Sequence, residues 1–193
     1  MQTVTVLFAR RDSIYKSFPA CEVYDIERDA STWPGGTPVV AHPPCRLWSK
    51  LRHFSTAPLS EKCLALWAIV QVRQWGGVLE HPASSSLFAS AHLPRPGRED
   101  IYGGRTIGLW QSWFGHRATK PTWLYIVGCP IGHLPAMPFV FGEGTHLVSR
   151  SSVQRTRRLQ RPEISKAERE HTPLLLAKWL LDVARLSSMT YLE

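Results

Sequence analysis

Residues 37–82 constrain the chain more than any other stretch. "TPVVAH" (37–42) is short and β-branched, the pattern of a strand. "LSEKCLALWAIVQVRQWGG" (59–77) follows, with Leu64, Ala65, Ala68, Ile69 and Val72 at helical spacing. Ser60 can cap this helix, and Gly76–Gly77 end it. "GVLEHP" (77–82) is again a strand, stopped by its proline. A strand–helix–strand unit closes through a right-handed crossover that normally lays its two strands parallel and adjacent.

The rest of the chain extends that unit. "TVTVLFA" (3–9) and "CEVYDIERDA" (21–30) read as two earlier strands, the second turning polar at Asp25. "STWPGG" is a loop, and "PTWLYIVG" (121–128) is a further strand. Residues 82–112 are rich in Ser, Gly and Pro and read as a long variable surface loop; residues 129–164 read as irregular. "SKAE" (165–168) is a capping box. "HTP" (171–173) restarts a helix with Thr172 as cap and Pro173 in its first turn. Leu175, Leu176, Trp179, Leu180 and Val183 then form a stripe to cover the sheet. The expectation is a single α/β domain over residues 1–193 with a parallel sheet.

Parallel sheets bind ligands beyond the carboxyl ends of their strands. Arg10, Asp25, Cys45 and Glu80 stand there. Two prolines fix the backbone before Cys45, so its thiol is aimed. Cysteine acts as a nucleophile only as thiolate. A cysteine facing a carboxyl on the next strand suits pyrimidine C5 chemistry. Attack at C6 turns C5 into an enamine carbon, and a carboxyl at N3 and the exocyclic amine steadies the developing charge. Taken singly, Cys45 could be a packing residue and Glu80 a partner for an arginine. His42 and His81 flank the pair and read as hydrogen-bonded spacers. Trp48, Trp110, Trp113 and Trp123 read as core or rim, one of them able to stack on a base.

Charge points to the partner. The net charge is +8, and residues 150–169 hold seven of the basic side chains, including Arg155, Arg157 and Arg158, against Glu163 and Glu168. Such a strip favours a polyanion through counterion release, although it also fits a solvated loop. The four cysteines, Cys21, Cys45, Cys63 and Cys129, form no C-x-x-C pair, and the histidines show no ligand spacing. No disulfide framework and no metal is expected. No apolar run approaches the roughly 20 residues that span a bilayer, and the N-terminus lacks a signal-peptide pattern. A cytoplasmic protein without a membrane partner is expected.

"AHPPCRLWS" resembles the catalytic loop of the cytosine-5 DNA methyltransferases, Gly-Pro-Pro-Cys-Gln followed by Phe-Ser. "LEHP" resembles their Glu-Asn-Val or Glu-Asn-Pro motif, "VYDIERDA" their second strand, "FGHRATKPTWLYIVG" a later segment of phage members, and "HTPLLLAKWL" their closing helix. The matches keep the family's order and span most of the chain. The resemblance implies a truncated, Rossmann-like sheet of the methyltransferase type acting on DNA with S-adenosyl-L-methionine. Cys45 would be the nucleophile and Glu80 the N3 partner. Phe8, Arg10, Asp25 and Pro43 would border the cofactor, Asp25 holding its ribose. Pro44, Arg46, Ser49, His81, Lys120, Arg155, Arg157 and Arg158 would face the base or the DNA.

Departures from the family are concrete. "FARRDSIY" has Arg10 and Arg11 where the family has a Phe-x-Gly-x-Gly loop. Residues 25–43 are too few for the strand that would flank the adenine. His81 replaces the family's Asn and Arg46 its Gln, and there is no room for a large target-recognition domain. The alternatives are a donor other than S-adenosylmethionine, an anionic one for the two arginines; a non-catalytic DNA-binding or inhibitory protein; and an enzyme acting on free pyrimidine nucleotides.

Overall fold

The computed structural model describes residues 1–140, 144–148 and 161–187. Its centre is a six-stranded sheet of β1 (Val4–Leu7), β2 (Cys21–Tyr24), β3 (Val39–Ala41), β4 (Gly77–Pro82), β5 (Arg105–Trp110) and β6 (Pro121–Val127), in the order β2-β1-β3-β4-β6-β5. The first four strands are parallel. β6 runs antiparallel to both β4 and β5. The all-parallel expectation is therefore corrected to a mixed sheet. An apolar strand such as "TWLYIV" carries no local mark of direction.

Helices cover both faces: α1 (Glu61–Trp75) on one, and the last helix on the other. Before that helix come α2 (Leu87–Ser90) and α3 (Lys166–Glu170); α4 (Leu174–Leu186) is the last. Alternation along the strands explains the layers. Val4, Val6, Val40, Val78, Leu124 and Ile126 turn to Leu176, Trp179, Leu180 and Val183 of α4. Leu7, Val39, Ala41, Leu79, Tyr125 and Val127 turn to Ala65, Ala68, Ile69 and Val72 of α1. Leu175, expected in the α4 stripe, is exposed instead. An α/β architecture of this kind is compatible with a Rossmann-like arrangement.

Gly77 makes the crossover possible. Its φ is +116°, and a Cβ there would lie 2.0 Å from the Val39 carbonyl oxygen. Helix starts follow expectation in part. Ser165 accepts from the Glu168 N–H at 3.1 Å. Ser60 makes no side-chain cap bond, and α4 begins at Leu174 with Pro173 in the cap position.

Residues 82–112 are not a loop, a second correction. They contain α2 and β5, and their turn is anchored from below. Asp100 Oδ2 accepts from Tyr125 Oη at 2.7 Å and Arg73 Nη2 at 3.1 Å, while its Oδ1 accepts from the N–H groups of Tyr102 and Gly104. Gly104 is required, because a Cβ would meet the Tyr125 hydroxyl at 2.3 Å. The glycines that suggested a loop serve close packing and tight turns within an ordered hairpin. No described helix is long and apolar enough to cross a membrane, and no group of three or more described His, Cys, Asp or Glu is placed to hold a metal.

Candidate active site

The chain leaves β1 toward β2 on one side and β3 toward β4 on the other, so the sheet's order reverses between β1 and β3. Open α/β sheets bind ligands at such a point. The His42 N–H still pairs with the Leu7 carbonyl at 3.0 Å, carrying β3 to that edge. Pro43 and Pro44 then offer no N–H, and the pairing stops. Cys45 starts a turn closed by Trp48 N–H to its carbonyl at 2.9 Å. Trp48 is buried, and its carbonyl accepts from the Ser86 N–H at 2.9 Å and the Ser86 hydroxyl at 3.1 Å. The thiol loop is thus tied to the chain just beyond β4.

Glu80 shares the face of Val78, and His42 the face of Val40. On neighbouring parallel strands they meet, with His42 Nδ1 3.1 Å from Glu80 Oε2. His42 Nε2 lies 3.0 Å from the hydroxyl of Tyr15, which is fully buried. Gln111 Nε2 donates to Glu80 Oε1 and to Thr122 Oγ1, both at 3.1 Å. The reversed β6 delivers Lys120 and Thr122 to this edge, since Thr122 stands opposite Pro82.

The electrostatics bind these groups into one field. Burial opposes ionisation of Glu80, but the His42 hydrogen bond and the charges of Lys120, His42 and His81 outweigh it and bring the carboxyl down to about 2. Burial pushes the Cys45 thiol up, the Glu80 charge adds to this, and Lys120 opposes it. Lys120 is half-buried and adopts a left-handed φ of +41°. His81 faces the opposite, α1 side and is fully buried. Burial lowers it to about 4 against the pull of the Glu80 charge and the Pro44 carbonyl, so it is neutral near pH 7. Neither of its ring nitrogens, nor Gln111 Oε1, has an aligned hydrogen-bond partner among the described residues.

Other expected site residues are engaged elsewhere. Phe8 takes a φ of +61° and stands edge-on to Trp67, ring centres 5.9 Å apart. Arg10 pairs with Asp12 at 2.9 Å and with Glu170, and Asp12 also holds His171 at 3.1 Å. Arg11 pairs with Glu27 at 2.9 Å. Asp25 is buried, with Oδ2 2.5 Å from Lys16 Nζ and Oδ1 accepting from the N–H groups of Glu27 and Arg28. Arg46 places its fork on Glu61 at 2.7 and 2.6 Å. Ser49 Oγ accepts from the Leu51 N–H at 3.2 Å. Pro43 is buried and Pro44 half-buried beside the thiol. Arg155, Arg157 and Arg158 lie outside the described residues.

Sequence reasoning named Cys45, Glu80, His81 and Lys120, which the fold gathers at one edge. It discounted His42, weighed Thr122 with Lys120 as a strand anchor or a DNA or pocket contact, and missed Tyr15 and Gln111. The parity of His42 with Val40 and of Glu80 with Val78 was a usable signal for the first. Tyr15 and Gln111 come from a turn and a hairpin whose placement no local pattern announces. A surface hollow of about 100 Å³ beside Trp110, Trp113 and Thr122 borders this edge, and another of about 480 Å³ lies beside Arg98 and Arg105. Neither is lined by Cys45 or Glu80.

No family model, no curated protein and no solved structure matches this chain.

Proposed function

We propose that the chain activates a pyrimidine at C5, cytosine in DNA, through a covalent adduct between Cys45 and C6. One observation carries the reading. A proline-fixed thiol just past β3 and an oriented carboxylate on the adjacent parallel strand β4 stand at the point where the sheet reverses its order. The resemblance of "AHPPCRLWS" and "LEHP" to the cytosine-5 DNA methyltransferases supports the same two residues. β2 is an edge strand, in keeping with a shortened sheet of that type. The net charge of +8 suits a nucleic-acid substrate.

In this reading Cys45 loses its proton to solvent and Sγ bonds to C6. The C5=C6 pair moves toward the ring nitrogen, and Glu80 steadies N3 and the exocyclic amine. C5 takes an electrophile, its own proton leaves, and elimination returns the thiolate. A base in a duplex must first leave the stack.

S-adenosylmethionine does not fit the residues that the resemblance assigns to it. Past β1 there is no glycine whose backbone could approach a cofactor. Both oxygens of Asp25 are engaged, and Arg10 is held in an ion cluster with Asp12 and Glu170. No step is routed through that cofactor, and the electrophile's source stays open to other donors.

A donor-free test follows from the chemistry. In D2O the enamine takes a deuteron at C5 and releases protium on elimination. Cytosine oligonucleotides incubated with the protein should lose their C5 proton signal, and the Cys45→Ser variant should leave it intact. An unchanged signal in both sinks the reading. Salt-sensitive duplex binding that Cys45→Ser does not alter would then mark a DNA-binding protein, which the filled donor side favours as the second reading.

A further inference from the structure

Glu80 has one task that its surroundings make hard. Attack of Sγ on C6 sends an electron pair to N3, which then needs a proton. The Glu80 carboxyl is held ionised, so it has no proton of its own to give near neutral pH. A proton source must stand behind it.

His42 stands there. It joins Glu80 through Nδ1 at 3.1 Å and Tyr15 through Nε2 at 3.0 Å. As a neutral ring it accepts from the Tyr15 O–H and donates from Nδ1 to Glu80. As a cation it donates from both nitrogens, to the tyrosine oxygen and to the carboxylate. Both ring nitrogens keep a partner when the ring is a cation, while the Tyr15 O–H, which donated to Nε2 of the neutral ring, gives up that acceptor. Tyr15 stays a phenol, because burial and the Glu80 charge push its own ionisation well above the ordinary value. Gln111 holds the other oxygen of Glu80 from the side and carries no ionisable proton.

We propose that His42 holds the proton that Glu80 passes to N3 of the pyrimidine, and that Tyr15 keeps His42 in place for that transfer. The proposal rests on the pyrimidine reading of the site. Its balance is simple. The Sγ–C6 bond forms and the C5=C6 pair is displaced toward N3. The proton leaves His42 Nδ1 for the carboxyl, and the carboxyl passes it to N3. C5 then takes a deuteron from solvent and releases its protium to solvent; on elimination the N3 proton returns along the same path and Sγ–C6 breaks. The groups that bear on His42 are Tyr15 from the turn after β1 and Glu80 from β4. Lys120 and His81 act on Glu80, while Cys45 feels Glu80, Lys120 and Glu170. His42 is a positioning and proton-holding residue and does not touch the base.

The test is the C5 exchange reaction as a function of pD, run on the full chain with cytosine oligonucleotides. His42→Asn can still donate to Glu80 but cannot store a proton. It should lower kcat by about 100-fold or more, leave KM for the oligonucleotide unchanged, and remove one limb of the profile. Tyr15→Phe leaves Glu80 and His42 in contact; it should displace that limb and lower kcat by about tenfold. Melting curves of both variants check folding. A His42→Asn protein with wild-type kcat and profile overturns the proposal, as does a loss confined to KM in both variants. A wild-type protein that exchanges nothing overturns the pyrimidine reading itself, a different and distinguishable failure.

Discussion

Acidifying the protein from pH 7 to pH 5 should destabilise it through His81. The ring is fully buried, without an aligned partner for either nitrogen, and its folded pKa lies near 4 against an ordinary 6.5. The sign follows from proton counting. Below pH 6.5 the unfolded chain takes up a proton at this histidine and the folded chain does not, so unfolding gains. Stability is full above pH 6.5 and falls until about pH 4, where the folded ring is protonated too. Linkage between those two values gives a loss of about 2 kcal/mol by pH 5 and about 3 kcal/mol by pH 4. Urea titration followed by tryptophan fluorescence measures it directly. With a slope of about 2 kcal/mol per molar urea, the midpoint should drop by about 1 M between pH 7 and pH 5. The control is His81→Leu, which fills the site without a titratable group. The other histidines remain in both proteins, so the difference between the two pH responses isolates His81. Equal responses in the two proteins, or a wild-type midpoint that holds steady to pH 5, would refute the argument that this ring is buried neutral.

Four further outcomes are expected. Glu80→Gln should abolish C5 exchange; in the wild type, the stabilisation tied to ionised Glu80, about 3 kcal/mol at most, is present above pH 4.5 and lost as pH falls through about 2, a limb the variant should lack in acid titration by circular dichroism. Gly77→Ala puts a Cβ against the Val39 backbone at a positive φ; it should cost about 3 kcal/mol and lower Tm by roughly 6–12 °C in calorimetry. Arg73→Ala removes the clamp on Asp100 and Tyr125, so limited proteolysis should cut between residues 96 and 104 in the variant before the wild type. Iodoacetamide at pH 7.5 should label exposed Cys63 ahead of Cys45, and Lys120→Ala should slow Cys45 further, read by peptide mass mapping.

Much of the fold was legible because crossover units write themselves locally. "GVLEHP" coincides with β4 to the residue, and α1 lies inside its expected span with Ala65, Ala68, Ile69 and Val72 buried as expected and Leu64 only half-buried. β5 was hidden for a physical reason. Only Thr106 and Leu109 of its six residues are buried, and glycines crowd its approach, so its alternation is faint. The direction of β6 was hidden for another: an inward run of apolar residues packs equally well either way. At the site, the prolines flagged Cys45 and the strand end flagged Glu80. The partners of Glu80 were illegible in proportion to their distance along the chain. His42 could be reached by counting side-chain parity; Gln111 required knowing that the hairpin folds back beside β4.

That hairpin also dictates an order of assembly. β5 touches the sheet only through β6, and β6 joins it only through β4. The crossover of β3, α1 and β4 can therefore bring His42 to Glu80 first, with Lys120, Gln111 and Thr122 arriving later as one docking unit. Pulsed hydrogen exchange during refolding should show amides of β1, β3 and β4 protected before those of β5. A chain arrested between the two stages would already carry its nucleophile and its carboxylate, but without Lys120, the cation that counters the Glu80 charge at the thiol. The Lys120 counterweight to the Glu80 charge thus reaches Cys45 only with the last strands to dock.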